Sequence, residues 1–184
     1  PTGSMIVDIG GGTTDVATIS LGGIVNSRSI RVGGDELNEA IIQHVRKTYN
    51  LLIGERTAEE LKIQLGSASV EKSQGSMQVR GRDMVTGLPR IIEVEAVEIA
   101  EAMSEIITQI IDAVRDVLEQ TPPEIASDVI DHGIVLTGGG ALLRNLAEVI
   151  SDYTQVPAFV ANDPLDCVAL GTGKILANPL LMKK

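Results

Sequence analysis

Two segments of the chain share one design: MIVDIGGGTT at 5–14 and GIVLTGGGAL at 133–142 each run an apolar strand straight into three glycines. Glycine loses more conformational freedom on folding than any other residue, at about 0.5–1 kcal/mol relative to alanine. Three together, directly after a buried strand, imply that something approaches the backbone. The arrangement occurs twice, which points to two loops meeting at one ligand. A strand follows the first loop and a helical pattern the second.

The surrounding pattern is that of an α/β protein. MIVDI is short and apolar, while DVATISL and IVNSRSIRV alternate, giving three strands of an antiparallel meander with a turn at Gly22-Gly23. Asp35 is placed to cap a helix carrying Leu37, Ile41, Ile42 and Val45 on one side. Thr57 and Glu60 make a capping box for a second helix, which Gly66 closes. Residues 67–76 are rich in Ser, Gly and Gln and read as a mobile loop. Strands at MQVRG and RIIEVE follow, joined by the turn TGLP. Apolar residues Ile99, Met103, Ile106, Ile107, Ile110, Val114, Val117 and Leu118 then predict a helix over 96–120, roughly 37 Å long, ended by Pro122 and Pro123. Beyond it come a short helix at EIASDVI, the strand GIVLT, the helix ALLRNLAEVISDY, the strand PAFVA and a last helix over 163–177. Residues 35–94, two helices and a small sheet of more polar composition, read as an insertion in the layer formed by 1–34 and 95–184.

Composition excludes several classes. Twenty-five acidic against fifteen basic residues give a net charge of −10, unsuited to a phosphate-backbone partner, so no nucleic acid is expected. That charge still permits one nucleotide bound through backbone amides. Cys167 is the single cysteine, which excludes a disulfide framework and makes the cytosol the default compartment. Neither a signal peptide nor an apolar run of about 18 or more residues is evident, so no membrane span is expected.

The first loop fits neither common phosphate pattern. A P-loop needs GxxxxGK[ST], and a dinucleotide fold needs its glycines to open a helix. In the first loop a strand resumes at Asp15, so the glycines form a hairpin tip. GTGK at 171–174 is a decoy, with Val168 where the first glycine belongs and Ile175 where Ser or Thr belongs. A hairpin tip can still direct several N–H groups into one concavity and hold a phosphate without a cationic side chain. The plainer reading is a tight turn without a ligand. For the second loop, the start of the following helix offers free amides and partial positive charge.

DIGGGTTDVA resembles the second phosphate motif of the actin and heat-shock chaperone ATPase superfamily, and GIVLTGGGALLRNL its adenosine motif. Within it, SLGGIVNSRSIRVGGDE, YNLLIGERTAEELKIQLG, GRDMVTGLPR, TPPEIASDVIDHGIVLTGGGALLRNL and DPLDCVALGTG resemble the MreB family of bacterial actins. The resemblance covers essentially the whole chain, and TGSM before the first strand is also similar to that family, which implies a native N-terminus. It extends to the second half of an MreB-type protein only. The first phosphate motif, the water-positioning acid and the membrane-inserting segment belong to a first domain outside this chain. The implied fold is a ribonuclease-H-like subdomain IIA (1–34 and 95–184) with a mixed sheet, interrupted by a small α+β subdomain IIB (35–94).

The resemblance also implies site residues. Asp8 would hold a water of the Mg²⁺ on ATP or ADP. Gly10, Gly11, Gly12 and Thr13 would line the β- and γ-phosphates. Glu59 and Lys62 share a helix face and would meet the ribose, with Glu60 alongside; without the resemblance they read as a solvated pair. Gly138, Gly139, Gly140 and Ala141 would lie on the adenine and α-phosphate side. The implied function is a nucleotide-switched filament protein that organises cell-wall synthesis and rod shape. It would act in the cytoplasm and associate with the membrane as part of the full-length protein. Implied partners are filament neighbours, the missing first domain and a RodZ-like membrane-anchored protein; this half would not insert into a membrane. Alone, it is expected to bind nucleotide weakly or not at all and to hydrolyse at background rate. Rival readings are a sugar- or acetate-kinase relative, which would need a substrate pocket and general base not evident here, a chaperone-type ATPase, and a pure binding module.

Other residues carry plainer expectations. His44 and His132 suit a surface helix position and a helix end, Cys167 and Met103 suit the core, and Arg144 suits solvent.

Overall fold

The computed structural model describes residues 3–161. In chain order its elements are β1 (Ser4–Ile9), β2 (Thr14–Ser20), β3 (Gly23–Ile30), α1 (Gly34–Tyr49), β4 (Leu51–Leu52), α2 (Glu55–Leu65), β5 (Ser76–Asp83) and β6 (Pro89–Glu95). These are followed by α3 (Ala96–Gln120), α4 (Pro123–His132), β7 (Ile134–Thr137), a 3-10 turn (Gly139–Leu142), α5 (Leu146–Thr154) and β8 (Ala158–Val160). The expected last helix over 163–177, Cys167 and the GTGK segment lie outside the described residues. Within the described residues the chain divides into two compact units, one of 3–34, Gln109–Leu142 and 147–161, the other of Asp35–Thr108 and Leu143–Leu146.

The first unit is built on a mixed five-stranded sheet in the order β3-β2-β1-β7-β8. β1 pairs antiparallel with β2, setting Asp8 opposite Asp15, and parallel with β7, setting Asp8 beside Thr137. The two-residue period of a strand sorts the side chains by face. Met5, Val7, Ile9, Thr14, Val16 and Thr18 are buried, whereas Ile6, Asp8, Asp15 and Ala17 are half-buried and line a groove of about 150 Å³ on the other face. The C-terminal part of α3 is tied to β2 and β3. The buried hydroxyls of Thr18 and Thr121 meet at 3.1 Å, Asn26 Nδ2 donates to Val117 O at 3.2 Å, and Arg28 pairs with Asp116. α4 docks beside the start of β1, where Gly3 N–H donates to Asp128 at 3.2 Å.

In the second unit, α1 buries Leu37, Ile41 and Val45, α2 buries Ala58, Leu61 and Leu65, and the start of α3 buries Ile99 and Met103, which is core as expected. Its antiparallel sheet runs β4-β5-β6. The two-residue β4 has no legible periodicity and is absent from the sequence reading. Gly66 ends α2 as expected, its N–H donating to Lys62 O at 3.0 Å.

Several local expectations are corrected. Asp35 lies inside the first turn of α1, which begins at Gly34. α2 starts at Glu55 with Gly54 as N-cap and no side-chain cap bond, so Thr57 is helical and forms no capping box. The segment expected to be mobile is tethered at its start: Ser67 is buried and bonds Asn145 Oδ1 at 2.8 Å, and Ala68 N–H donates to Arg144 O at 2.8 Å. His44 is not a free surface side chain. Its Nε2 lies 2.6 Å from Glu98 Oε1, and the Tyr49 hydroxyl also bonds Glu98. Arg144 is exposed but donates to Gln64 O at 2.8 Å, while His132 does close a helix.

Candidate functional site

In the first unit, the parallel pairing of β1 with β7 makes both glycine loops leave the sheet at the same edge. The first is the β1–β2 hairpin tip, closed by Gly10 N–H donating to Thr13 O at 2.9 Å. Residues 32–34 brace it. Gly34 N–H donates to Gly10 O at 2.9 Å, and the buried Thr14 hydroxyl donates to Val32 O at 2.6 Å. The second loop packs on the last residues of β1. A Cβ at Gly138, whose φ is +86°, would stand 2.4 Å from Ile9 O and 2.7 Å from Asp8 Oδ1. One at Gly140 would stand 2.3 Å from Ile9 Cγ2. These two glycines are required by protein packing against protein.

The hairpin tip is different. A Cβ at Gly12 would meet nothing within 4 Å, and one at Gly10 only Thr13 O at 3.5 Å, with no left-handed φ at either. Among the described residues, packing therefore does not demand glycine at positions 10 and 12. Among the described residues Gly11, Gly12 and Thr13 are exposed at this tip. Such a tip suits a polyanion that must approach closer than a side chain allows.

The second loop corrects the sequence reading in one respect. It does not open an α-helix: Gly139–Leu142 form a single 3-10 turn, and α5 starts only at Leu146, after Asn145 with φ +66°. The left-handed Gly138 and the buried Ala141 turn the chain inward first. No α-helical amides are therefore free at this loop. Gly139 is exposed and Gly140 half-buried, whereas Gly138 is buried and Ala141 is only 1% exposed, backbone included.

Asp8 is half-buried at the end of β1, beside Gly138. Among the described residues no group of three or more His, Cys, Asp or Glu side chains could hold a metal ion. A single carboxylate at this edge fits a Mg²⁺ that keeps its water shell, reached through one of those waters.

Within the second unit, Glu59 and Lys62 are one turn apart on α2 and joined at 2.8 Å, with the Lys62 side chain 12% and the Glu59 side chain 46% exposed. Partial burial pushes the Glu59 carboxyl up, but hydrogen bonds from Lys62 and Asn38 and the charge of Lys62 together hold it below the usual range. Glu60 does not join this group; it lies 3.9 Å from Arg56 in an exposed pair. Asn38 and Glu55 belong to it and were missed: Asn38 Nδ2 donates to Glu59 Oε2 at 2.7 Å and to Glu55 Oε2 at 3.2 Å. The available signal was a lone Asn set among the apolar positions of α1.

A family model described as MreB/Mbl protein matches residues 1–184. The cell shape-determining protein Mbl of Bacillus subtilis is 49% identical over 178 residues, covering 97% of this chain and 54% of that protein. The cell shape-determining protein MreB of Escherichia coli is 54% identical over 175 residues, covering 95% and 50%. The crystal structure of MreB5 of Spiroplasma citri bound to ADP is similar with a TM-score of 0.90 at 43% identity, covering 98% of this chain and 55% of that one. The chain thus spans about half the length of the relatives it matches.

Proposed function

The chain belongs to the MreB/Mbl family, and from that premise we propose that it is the nucleotide-binding second half of a filament-forming bacterial actin that organises cell-wall synthesis and rod shape. Residues 1–34 and 95–184 form subdomain IIA and residues 35–94 subdomain IIB. Gly10, Gly11, Gly12 and Thr13 hold the β- and γ-phosphates of ATP or ADP through N–H groups and a hydroxyl. Asp8 fixes a water of the Mg²⁺. Backbone groups of Gly138, Gly139, Gly140 and Ala141 line the adenine and α-phosphate side. Glu59 and Lys62 serve the ribose, with Glu60 at the margin.

The observation that carries this reading is the hairpin tip, where glycine stands at position 12 although a Cβ there would meet nothing within 4 Å. The ADP in the similar MreB5 structure supports the choice of ligand. Polymerisation, association with a RodZ-like membrane-anchored protein and docking to a first domain belong to the same proposal. Alone, this half releases phosphate at background rate. Among the described residues no helix is long and apolar enough to cross a membrane; association with the membrane through the first domain and the anchored partner is part of the same proposal.

The exposed apolar side chains of the β5–β6 turn support the self-association part of this reading. Met84, Val85 and Leu88 are 42%, 82% and 63% exposed there. Asp83 braces the turn, accepting from the N–H groups of Val85 at 2.7 Å and Thr86 at 2.9 Å and from Arg90 at 2.6 Å. The test of the nucleotide reading is calorimetry on the full-length protein. ADP with Mg²⁺ should bind, and Gly12→Val should weaken binding at least about ten-fold without unfolding. Unchanged affinity in that variant contradicts the assignment.

A further inference from the structure

The unmet acceptor in the second unit calls for a physical reason. Asn38 is 4% exposed in α1, between the buried Leu37 and Ile41. Its Nδ2 donates to the carboxylates of Glu59 and Glu55, while its Oδ1 is buried and accepts from no group among the described residues. A buried acceptor left unpaired destabilises a fold, and an apolar side chain of the same size would avoid that cost. Turning the amide over would only aim the oxygen at two carboxylates. The orientation is thus set by what the amide donates to, and the benefit of an asparagine here lies with its acceptors.

The chief acceptor is Glu59. Asn38 Nδ2 at 2.7 Å and Lys62 Nζ at 2.8 Å both reach the same oxygen, Oε2. This fixes the carboxylate about its terminal bond and leaves Oε1, on a side chain 46% exposed, to accept from a ligand. An ionised oxygen held in one direction suits a neutral hydroxyl donor.

We propose that Asn38 is a positioning residue. From its buried place in α1 it orients Glu59 so that Oε1 accepts a hydrogen bond from a sugar hydroxyl of the bound nucleotide, and so sets preference for a ribose. This rests on the nucleotide reading above.

The experiment measures binding of ADP and of 2′,3′-dideoxy-ADP to the full-length protein, with thermal unfolding of each variant. Wild type should prefer ADP. Asn38→Leu should weaken ADP about ten-fold, the effect of one charge-assisted hydrogen bond. It should leave dideoxy-ADP unchanged and the melting temperature equal or higher. Asn38→Met, of similar size and more adaptable, should do the same if the leucine variant packs badly. In a Glu59→Ala background, Asn38→Leu should have no further effect on ADP, as expected when one residue acts through the other. Wild-type preference for ADP kept in both variants overturns the inference and leaves the nucleotide reading standing. Equal weakening of both nucleotides with a lowered melting temperature also overturns it, since that marks a merely structural asparagine. Absence of ADP binding by wild type overturns the nucleotide reading and this inference with it.

Discussion

Gly12 and Gly140 are written alike in the sequence, each the third of three glycines after a strand, yet they answer to different causes. At Gly140 the neighbour is Ile9 Cγ2, 2.3 Å from where a Cβ would stand; at Gly12 there is open space. Gly140→Ala should therefore destabilise by about 1–3 kcal/mol, the usual cost of overpacking, read from the denaturant midpoint. Gly12→Val should melt with wild type while losing at least about ten-fold in ADP affinity, or about 1.4 kcal/mol. The distinction was not legible beforehand, because it depends on which loop lies on β1 and which faces outward. Asn38 was likewise overlooked, since an asparagine in a helical stripe shows its meaning only once the carboxylates of α2 are seen beside it. Glu59 and Lys62 could be paired in advance, because a three-residue spacing fixes one helix face.

Among the elements, α3 was legible to its ends. Its apolar stripe is long, and Pro122 and Pro123 forbid continuation. α2 was misjudged at its start, because Thr57 and Glu60 satisfy a capping pattern inside a helix that in fact opens two residues earlier at Glu55. Its true N-cap, Gly54, has φ −94° and ψ 177° and makes no side-chain cap bond, and a Cβ there would meet nothing within 4 Å. Gly54→Ser should raise stability by about 0.5–1 kcal/mol, through a cap to the first turn and a less flexible unfolded chain. α1 and α3 are joined by Glu98, which takes His44 Nε2 at 2.6 Å and the Tyr49 hydroxyl at 2.7 Å. Burial pushes Glu98 up, but the Glu95 N–H, His44 and Tyr49 together hold it below its ordinary value of 4.5. Its contribution is present above that value and lost as pH falls below it. Tyr49, raised by burial and by Glu98 from 10.0 to about 12, contributes below pH 10 and loses its contribution between 10 and 12. A melting profile against pH should be flat through neutrality and fall on both sides, with Tyr49→Phe removing the alkaline fall. An alkaline limb unchanged in that variant would assign it elsewhere.

At the scale of the whole molecule, the α/β class and the first meander followed from strand periodicity, whereas the pairing of β1 with β7 did not. Those strands are separated by both helices of the insertion and by α3, and only the recurrence of strand plus triple glycine hinted that they meet. That parallel pair is what sets both loops at one sheet edge. Assembly tests a second surface: Val85→Asp with Leu88→Asp should reduce sedimentation of nucleotide-loaded full-length protein while leaving its ADP affinity unchanged, because the β5–β6 turn contains none of the nucleotide residues. The central claim, that the two loops together receive one nucleotide, is tested most directly by hydrogen–deuterium exchange of the full-length protein with and without ADP and Mg²⁺. Amides in peptides spanning 8–14 and 137–142 should both slow on binding. ADP that binds while leaving either peptide unprotected would contradict the account.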